Sequence, residues 1–307
     1  MNCKTEKIIV VTGATGRQGG AVSRELLKSG YSVRALTRYP DSQAAKALSG
    51  LGAKVIKCDL TDANSHTGVL SGAWGVFALF QPFDHDLRLE RETGRRFTAT
   101  AKNAGIKHYV YSSAAAANLK TGIPYLESKA VIEAAVIGAR FESYVIIRPS
   151  FLMDNFTAPL LLPEIEQGRL CLALPPHTRV QMVAADDIGK FGRAAFRQAG
   201  ELSGKEIDIA GDERTPQETA DVLGTVYGKK IEFFSSDINS LRKADPEMAA
   251  IMDWLDLGCP AIKLQDIPAK YGVRPMTLEQ WARKRKPPAQ ARAAAAACTG
   301  QNAAANP

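Results

Sequence analysis

Residues 7–20, KIIVVTGATGRQGG, constrain the fold of this 307-residue chain more than any other stretch. An apolar run rich in β-branched residues leads straight into four closely spaced glycines, and a helical pattern then runs over residues 16–30 to a glycine stop. In such a turn one glycine permits the tight bend, a second lets backbone approach a pyrophosphate, and a third lets helix and strand pack closely. The helix amino terminus adds unpaired N–H groups and the positive end of the helix dipole. Gly13, Thr15, Gly16, Arg17, Gln18 and Gly19 are therefore expected to hold a dinucleotide. The spacing is G-x-x-G-x-x-G, a variant of the usual fingerprint, and its position between strand and helix gives it weight.

The same rhythm continues. Strand-like runs at residues 31–36, 54–58, 74–79, 108–112 and 143–147 alternate with helical patterns at 43–48, 86–103 and 126–139. A parallel crossover needs a dozen or more residues, so this alternation predicts a doubly wound α/β fold with a parallel sheet. After Pro149 the rhythm changes. Residues 151–178 are proline-studded and carry Phe151, Met153 and Phe156; strands are expected at 181–184 and 206–209, with Asp186-Asp187 opening a helix between them. From Thr215 the pattern is mostly helical, with Trp254 and Trp281 as packing anchors. The expectation is a dinucleotide-binding domain of residues 1–150 plus about 179–210. A smaller, partly interleaved, mostly helical substrate domain follows from 151–178 plus about 211–286. Residues 287–307 lack large apolar side chains, which predicts a disordered tail.

A net charge of +7 invites a nucleic-acid reading, yet five of those charges lie in residues 283–307, which hold no acid, leaving +2 for the rest. The run Arg283, Lys284, Arg285 and Lys286 reads as a solvated helix end complementing the dipole, with a nuclear-localisation or nucleic-acid patch as the alternative. The five cysteines are single and odd in number, which suggests reduced thiols in a cytoplasmic protein. The opening residues do not follow a signal-peptide pattern, the apolar stretches fall short of a membrane span, and four dispersed histidines predict no metal site.

The second strand ends Leu36-Thr37-Arg38, with Arg38 lying 22 residues after Gly16. An acid there would bind ribose hydroxyls and repel a 2′-phosphate, whereas an arginine fork matches a phosphate. This favours NADP(H), with a solvated Arg38 as the alternative. At the third strand's edge, Asp59 is placed either to accept from the adenine amino group or to cap the next helix.

Taken in order, GATGRQGG, ALTRYP, Cys58-Asp59-Leu60, Gly75-Val76-Phe77, KHYVYSS, Ser128-Lys129, RPSFLMDNF and Asp186-Asp187-Ile188-Gly189 resemble the NmrA-like family, an atypical branch of the short-chain dehydrogenases/reductases. The resemblance runs from about residue 7 to 281. It implies a Rossmann domain that binds NADP(H), in either a reductase or a redox-sensing regulator that acts through protein partners, and it leaves a homodimer open. It matches Lys129 to the lysine at the nicotinamide ribose, Arg95 to a basic residue on the cofactor side, and the Phe80-Gln81-Pro82 turn to a loop near the nicotinamide. Unlike many relatives, this chain also carries the Y-x-x-x-K of ordinary short-chain dehydrogenases, Tyr125 to Lys129, with Ser112 thirteen residues earlier. Four residues apart, the two side chains share a helix face. By resemblance Tyr125 would donate a proton, Lys129 would tune it, and Ser112 would position the substrate. The alternative is that Tyr125 merely starts a helix after Pro124. The resulting expectation is an NADPH-dependent reductase of a small apolar or aromatic carbonyl, quinone or conjugated double bond, against a non-catalytic NADP(H) sensor.

Overall fold

The computed structural model describes residues 7–82, 86–258 and 261–285. Strand β1 (Ile8–Val11) is buried on both sides, and Gly13, at φ +58°, turns the chain into α1 (Arg17–Lys28). There follow β2 (Ser32–Thr37), α2 (Gln43–Gly50), β3 (Lys54–Lys57), α3 (His66–Leu70) and β4 (Gly75–Leu79). Then come α4 (Leu87–Asn103), β5 (His108–Ser112), α5 (Pro124–Gly138) and β6 (Ser143–Pro149). The second part holds β7 (Phe151–Leu152), α6 (Leu162–Glu166), β8 (Arg169–Leu172), β9 (Val180–Val183), α7 (Ala185–Arg197), β10 (Lys205–Ile209) and β11 (Asp212–Arg214). It closes with α8 (Pro216–Tyr227), β12 (Glu232–Ser235), α9 (Ile238–Ala244), α10 (Pro246–Asp256), α11 (Ile267–Tyr271) and α12 (Leu278–Arg285).

Seven strands form one parallel sheet in the order β10-β6-β5-β4-β1-β2-β3. Alternate residues feed two cores, because successive side chains point to opposite faces. Ile9, Val11 and Phe77 pack with Val22 and Leu26 of α1 and Ile188 and Phe191 of α7. Val10, Val76, Tyr109 and Tyr111 pack with Phe97 of α4 and Ile132 and Val136 of α5. The fold is thus the doubly wound α/β sheet. Its chain order reverses at β1, where β4 lies on one side and β2 on the other, which is where such sheets bind ligands at the strands' carboxyl ends.

A third core, in the second part of the chain, joins Met153, Phe156, Leu170, Met182, Leu223 and Trp281. This part is helical but also carries two small sheets, β11-β9-β7 and the parallel pair β12-β8. The strand expected at 181–184 therefore belongs to the three-stranded sheet, while α7 and β10 return to the seven-stranded one. Strand β12 is four residues long with only Phe233 half-buried and the rest exposed, so it carried no readable alternation.

Of the basic run, Arg283 pairs with Glu279, Lys284 with Asp186 (2.6 Å) and Arg285 with Asp154 (2.8 Å). Lys284 thus ties α12 to the start of α7 and Arg285 ties it to the segment after β7, while Arg283 stays within α12; Lys286 and the tail at 287–307 lie outside the described residues. Among the described residues no helix is long and apolar enough to cross a membrane, and no cluster of His, Cys, Asp or Glu is built to hold a metal ion.

Candidate functional site

At the carboxyl end of β1 the glycine turn folds on itself. The Gly16 N–H donates to the Gly13 carbonyl at 2.9 Å. A Cβ on Gly19 would stand 2.3 Å from that same carbonyl oxygen, so only glycine lets α1 seat this close to the turn. The first turn of α1 has no side-chain cap and no acidic residue, which leaves its N–H groups and dipole end to an anion. Thr15 and Thr37 share a hydroxyl contact of 3.2 Å, joining this turn to the end of β2. The Arg17 guanidinium donates to Asn155 Oδ1 at 3.3 Å, bridging the turn to the segment after β7.

Gln18 is buried and turned inward; its Oε1 accepts the Ser112 hydroxyl at 2.8 Å. Ser112 therefore anchors α1 to β5, and its one hydroxyl proton is used inside the protein.

On the far side, Arg38 is exposed, its guanidinium carbon 5.5 Å from the centre of the Tyr39 ring. Asp59 is also exposed and holds its own turn. Its Oδ1 accepts the Thr61 N–H (3.0 Å) and hydroxyl (2.8 Å). The Thr61 N–H bond chiefly, with the Thr61 hydroxyl and the Arg38 charge adding to it, holds the Asp59 carboxyl below its ordinary range. The loop is pinned from beneath by His66 Nε2 against the Leu60 carbonyl (2.9 Å) and by Arg96 donating to the Thr61 carbonyl (2.6 Å).

The opposite edge is built by β5 and α5. Lys129 is 1% exposed; its ammonium donates to the Phe80 carbonyl at 2.6 Å and to Glu90, which is 0% exposed. Glu90 also accepts the Ser128 hydroxyl at 2.7 Å. The Lys129 nitrogen lies 5.0 Å from the centre of the Tyr125 ring. Tyr125 is half-buried, and its hydroxyl has no hydrogen-bond partner among the described residues. Ser113 extends the β5 ladder, donating its N–H to the Ile147 carbonyl at 2.8 Å. Alternation from Ser112, which faces α1, returns Ser113 to the α4–α5 side shared by Tyr109 and Tyr111. The Ser113 hydroxyl is buried with no partner among the described residues, and so is that of Tyr111, whose phenol burial pushes well above its ordinary range.

The structure thus brings together the glycine turn, Thr15, Arg17 and Gln18, with Arg38 and Asp59 at one edge and Tyr125 and Lys129 at the other. Phe80 enters through its carbonyl, since its ring is 1% exposed and packed edge-on against Phe97; Gln81 is exposed just beyond β4. Arg95 does not join them. It lines a surface groove with Thr98, Ala99, Lys102 and Ala135 between α4 and α5. Three residues were missed: Glu90, Ser113 and Asn155. The serine pair was visible in KHYVYSS, but choosing between the two required the strand's phase. The Asp186-Asp187 pair is structural: Asp187 accepts the Met276 N–H at 2.7 Å and pairs with Lys190.

The chain spans 75% of the NmrA-like family domain-containing oxidoreductase FrzB of a Cladobotryum species, with 32% identity over 253 residues, 74% of this chain. The Citrobacter triphenylmethane reductase, solved with NADP(H), superposes with a TM-score of 0.75 at 23% identity, covering 90% of this chain and 99% of that one. The negative transcriptional regulator NmrA, solved with NAD, superposes at 0.76 and 18% identity, covering 91% of this chain and 95% of that one. The NmrA-like family itself is matched over residues 5–255, and the chain belongs to it.

Proposed function

We propose that this chain is an NADPH-dependent oxidoreductase that reduces a small apolar carbonyl compound. The observation that carries the reading is the Tyr125 hydroxyl and the Lys129 ammonium, with the buried, unpartnered Ser113 hydroxyl, at the sheet edge that also holds the uncapped α1 terminus. The seat fits a dinucleotide: Gly19 leaves room for close approach, the first turn of α1 offers unclaimed donors, and Arg38 stands exposed just past the end of β2. The oxidoreductase FrzB and the reductase solved with NADP(H) support the same reading.

When bound, NADPH supplies the hydride. The protein's part is the proton and its placement. Tyr125 donates its hydroxyl proton to the oxygen that gains charge, the usual work of a positioned general acid. Lys129, fixed by Glu90 and the Phe80 carbonyl, stands 5.0 Å from the centre of the phenol ring and holds it in place. Ser113 donates to the same substrate oxygen and orients it. Ser112 takes no part in the chemistry; by holding Gln18 it keeps α1 and its phosphate-facing terminus in register with β5.

Turnover of quinones, enones and ketones with NADPH tests the proposal. Tyr125→Phe is expected to bind NADPH as before and to lose about 10²–10⁴-fold in carbonyl turnover. Ser113→Ala is expected to reduce kcat/KM through the substrate, while Ser112→Ala acts mainly on NADPH affinity. Unchanged turnover in Tyr125→Phe removes the tyrosine from the mechanism. Tight NADPH binding with no turnover on any compound instead favours a redox sensor.

A further inference from the structure

Helix α10 carries two working faces. Met252 and Leu255, three residues apart, reach into a small apolar pocket that Phe151, Phe156 and Leu174 also line. Ala250 and Trp254 turn the other way, at the i, i+4 spacing of a single helix face, and Ile251 sits between the two faces and packs on both cores. They pack on a buried trio, Ala116, Ile123 and Leu126, and Tyr125 packs on the same trio. The patch that seats the proposed proton donor therefore also seats α10. Trp254 and Ile251 are both half-buried, so each keeps apolar surface toward solvent at this edge.

The polar groups offered there are few. The Tyr125 hydroxyl is one of them, and the α10 face beside it is apolar at Ala250, Ile251 and Trp254, with the half-buried Glu247 one turn earlier on the same face. A compound reaching Tyr125 must lay its remaining surface along Ile251 and Trp254. We infer that Ile251 and Trp254 of α10 are the specificity-determining wall of the site, gauging the size of a flat, apolar carbonyl compound of the quinone class. This rests on the reading of Tyr125 as the reacting edge. An indole has a large rigid face, and its removal opens room for about one further aromatic ring. Changes of this kind in an apolar pocket shift selectivity by about 10–200-fold.

Steady-state reduction of 1,4-benzoquinone and 9,10-phenanthrenequinone, with saturating NADPH, reads this directly. Trp254→Ala is expected to raise the ratio of kcat/KM for the three-ring over the one-ring quinone at least about tenfold. Ile251→Ala should move it the same way by less, and Trp254→Phe should fall between wild type and Trp254→Ala. The KM for NADPH stays put in all three, and Met248→Ala, exposed on the same helix, leaves the ratio unchanged. If Trp254→Ala does not fold, Trp254→Phe and Ile251→Ala carry the comparison. An unmoved ratio with turnover intact overturns the wall and leaves the proposed activity standing. No reduction of either quinone by the unmodified chain overturns both.

Discussion

Lys129 and Glu90 form a buried ion pair whose removal tests how the site is held. Lys129 is 1% exposed and Glu90 0% exposed; their other hydrogen bonds are the Phe80 carbonyl on the lysine and the Ser128 hydroxyl on the glutamate. Lys129→Met leaves a buried carboxylate with only Ser128 to neutralise it, and Glu90→Gln leaves a buried ammonium with only a carbonyl. Breaking such a pair from one side costs about 3–5 kcal/mol. At roughly 2 °C per kcal/mol for a chain of this size, each single variant should melt about 6–10 °C lower. The double variant removes both charges, leaves chiefly the Phe80 carbonyl without its donor, and should lose only about 1–3 kcal/mol. Urea denaturation of the four proteins gives the coupling energy, expected to be at least about 2 kcal/mol. Single losses below about 1 kcal/mol, or strictly additive ones, would show that the pair is not closed to water and would refute the reasoning. The consequence for function is direct: loss of turnover in Lys129→Met combines cofactor, proton and stability effects, and Glu90→Gln separates them because it keeps the lysine.

At the cofactor's other end, NADPH should bind at least about tenfold tighter than NADH, and Arg38→Ala should erase most of that preference in calorimetric titration; equal affinities in the unmodified chain would sink the assignment. Gly19→Ala drives a methyl into the Gly13 carbonyl and should lift α1 from the turn, lowering stability by about 1–3 kcal/mol and weakening NADPH binding more than quinone binding. Burial beneath Trp74 and Phe196 pushes the His108 imidazole down to about 4 from its ordinary 6.5. The unfolded chain then binds the extra proton between these values, so this group's contribution is complete above about pH 6.5 and falls by about 1.4 kcal/mol per pH unit toward pH 4. His108→Gln should flatten that slope in denaturation series, and an identical slope would assign the acid sensitivity elsewhere.

The central sheet was legible because strands covered on both faces read as unbroken apolar runs, as in Ile8–Val11 and Gly75–Leu79. That same burial hid the chemistry of β5. All five residues of HYVYS are buried, so no alternation marks which side each faces, and Ser112 looked as available as Ser113. Only the contact with Gln18 reveals that Ser112 is already committed. Glu90 was hidden differently. The buried face of α4 runs Glu90, Thr93, Gly94, Phe97, Thr98 and Ala101, a regular helical stripe, yet half of its positions are polar. A stripe of that kind reads as solvated until the partners are known. Here the partners are Lys129 and Ser128, both within the recognised Ser128-Lys129 dipeptide, so a motif that named the lysine could not name the acid that holds it. A buried carboxylate with no charge of its own accounted for is therefore the cue to seek: in a chain with Y-x-x-x-K, an acid on the inward stripe of the preceding helix points to the lysine's counter-ion.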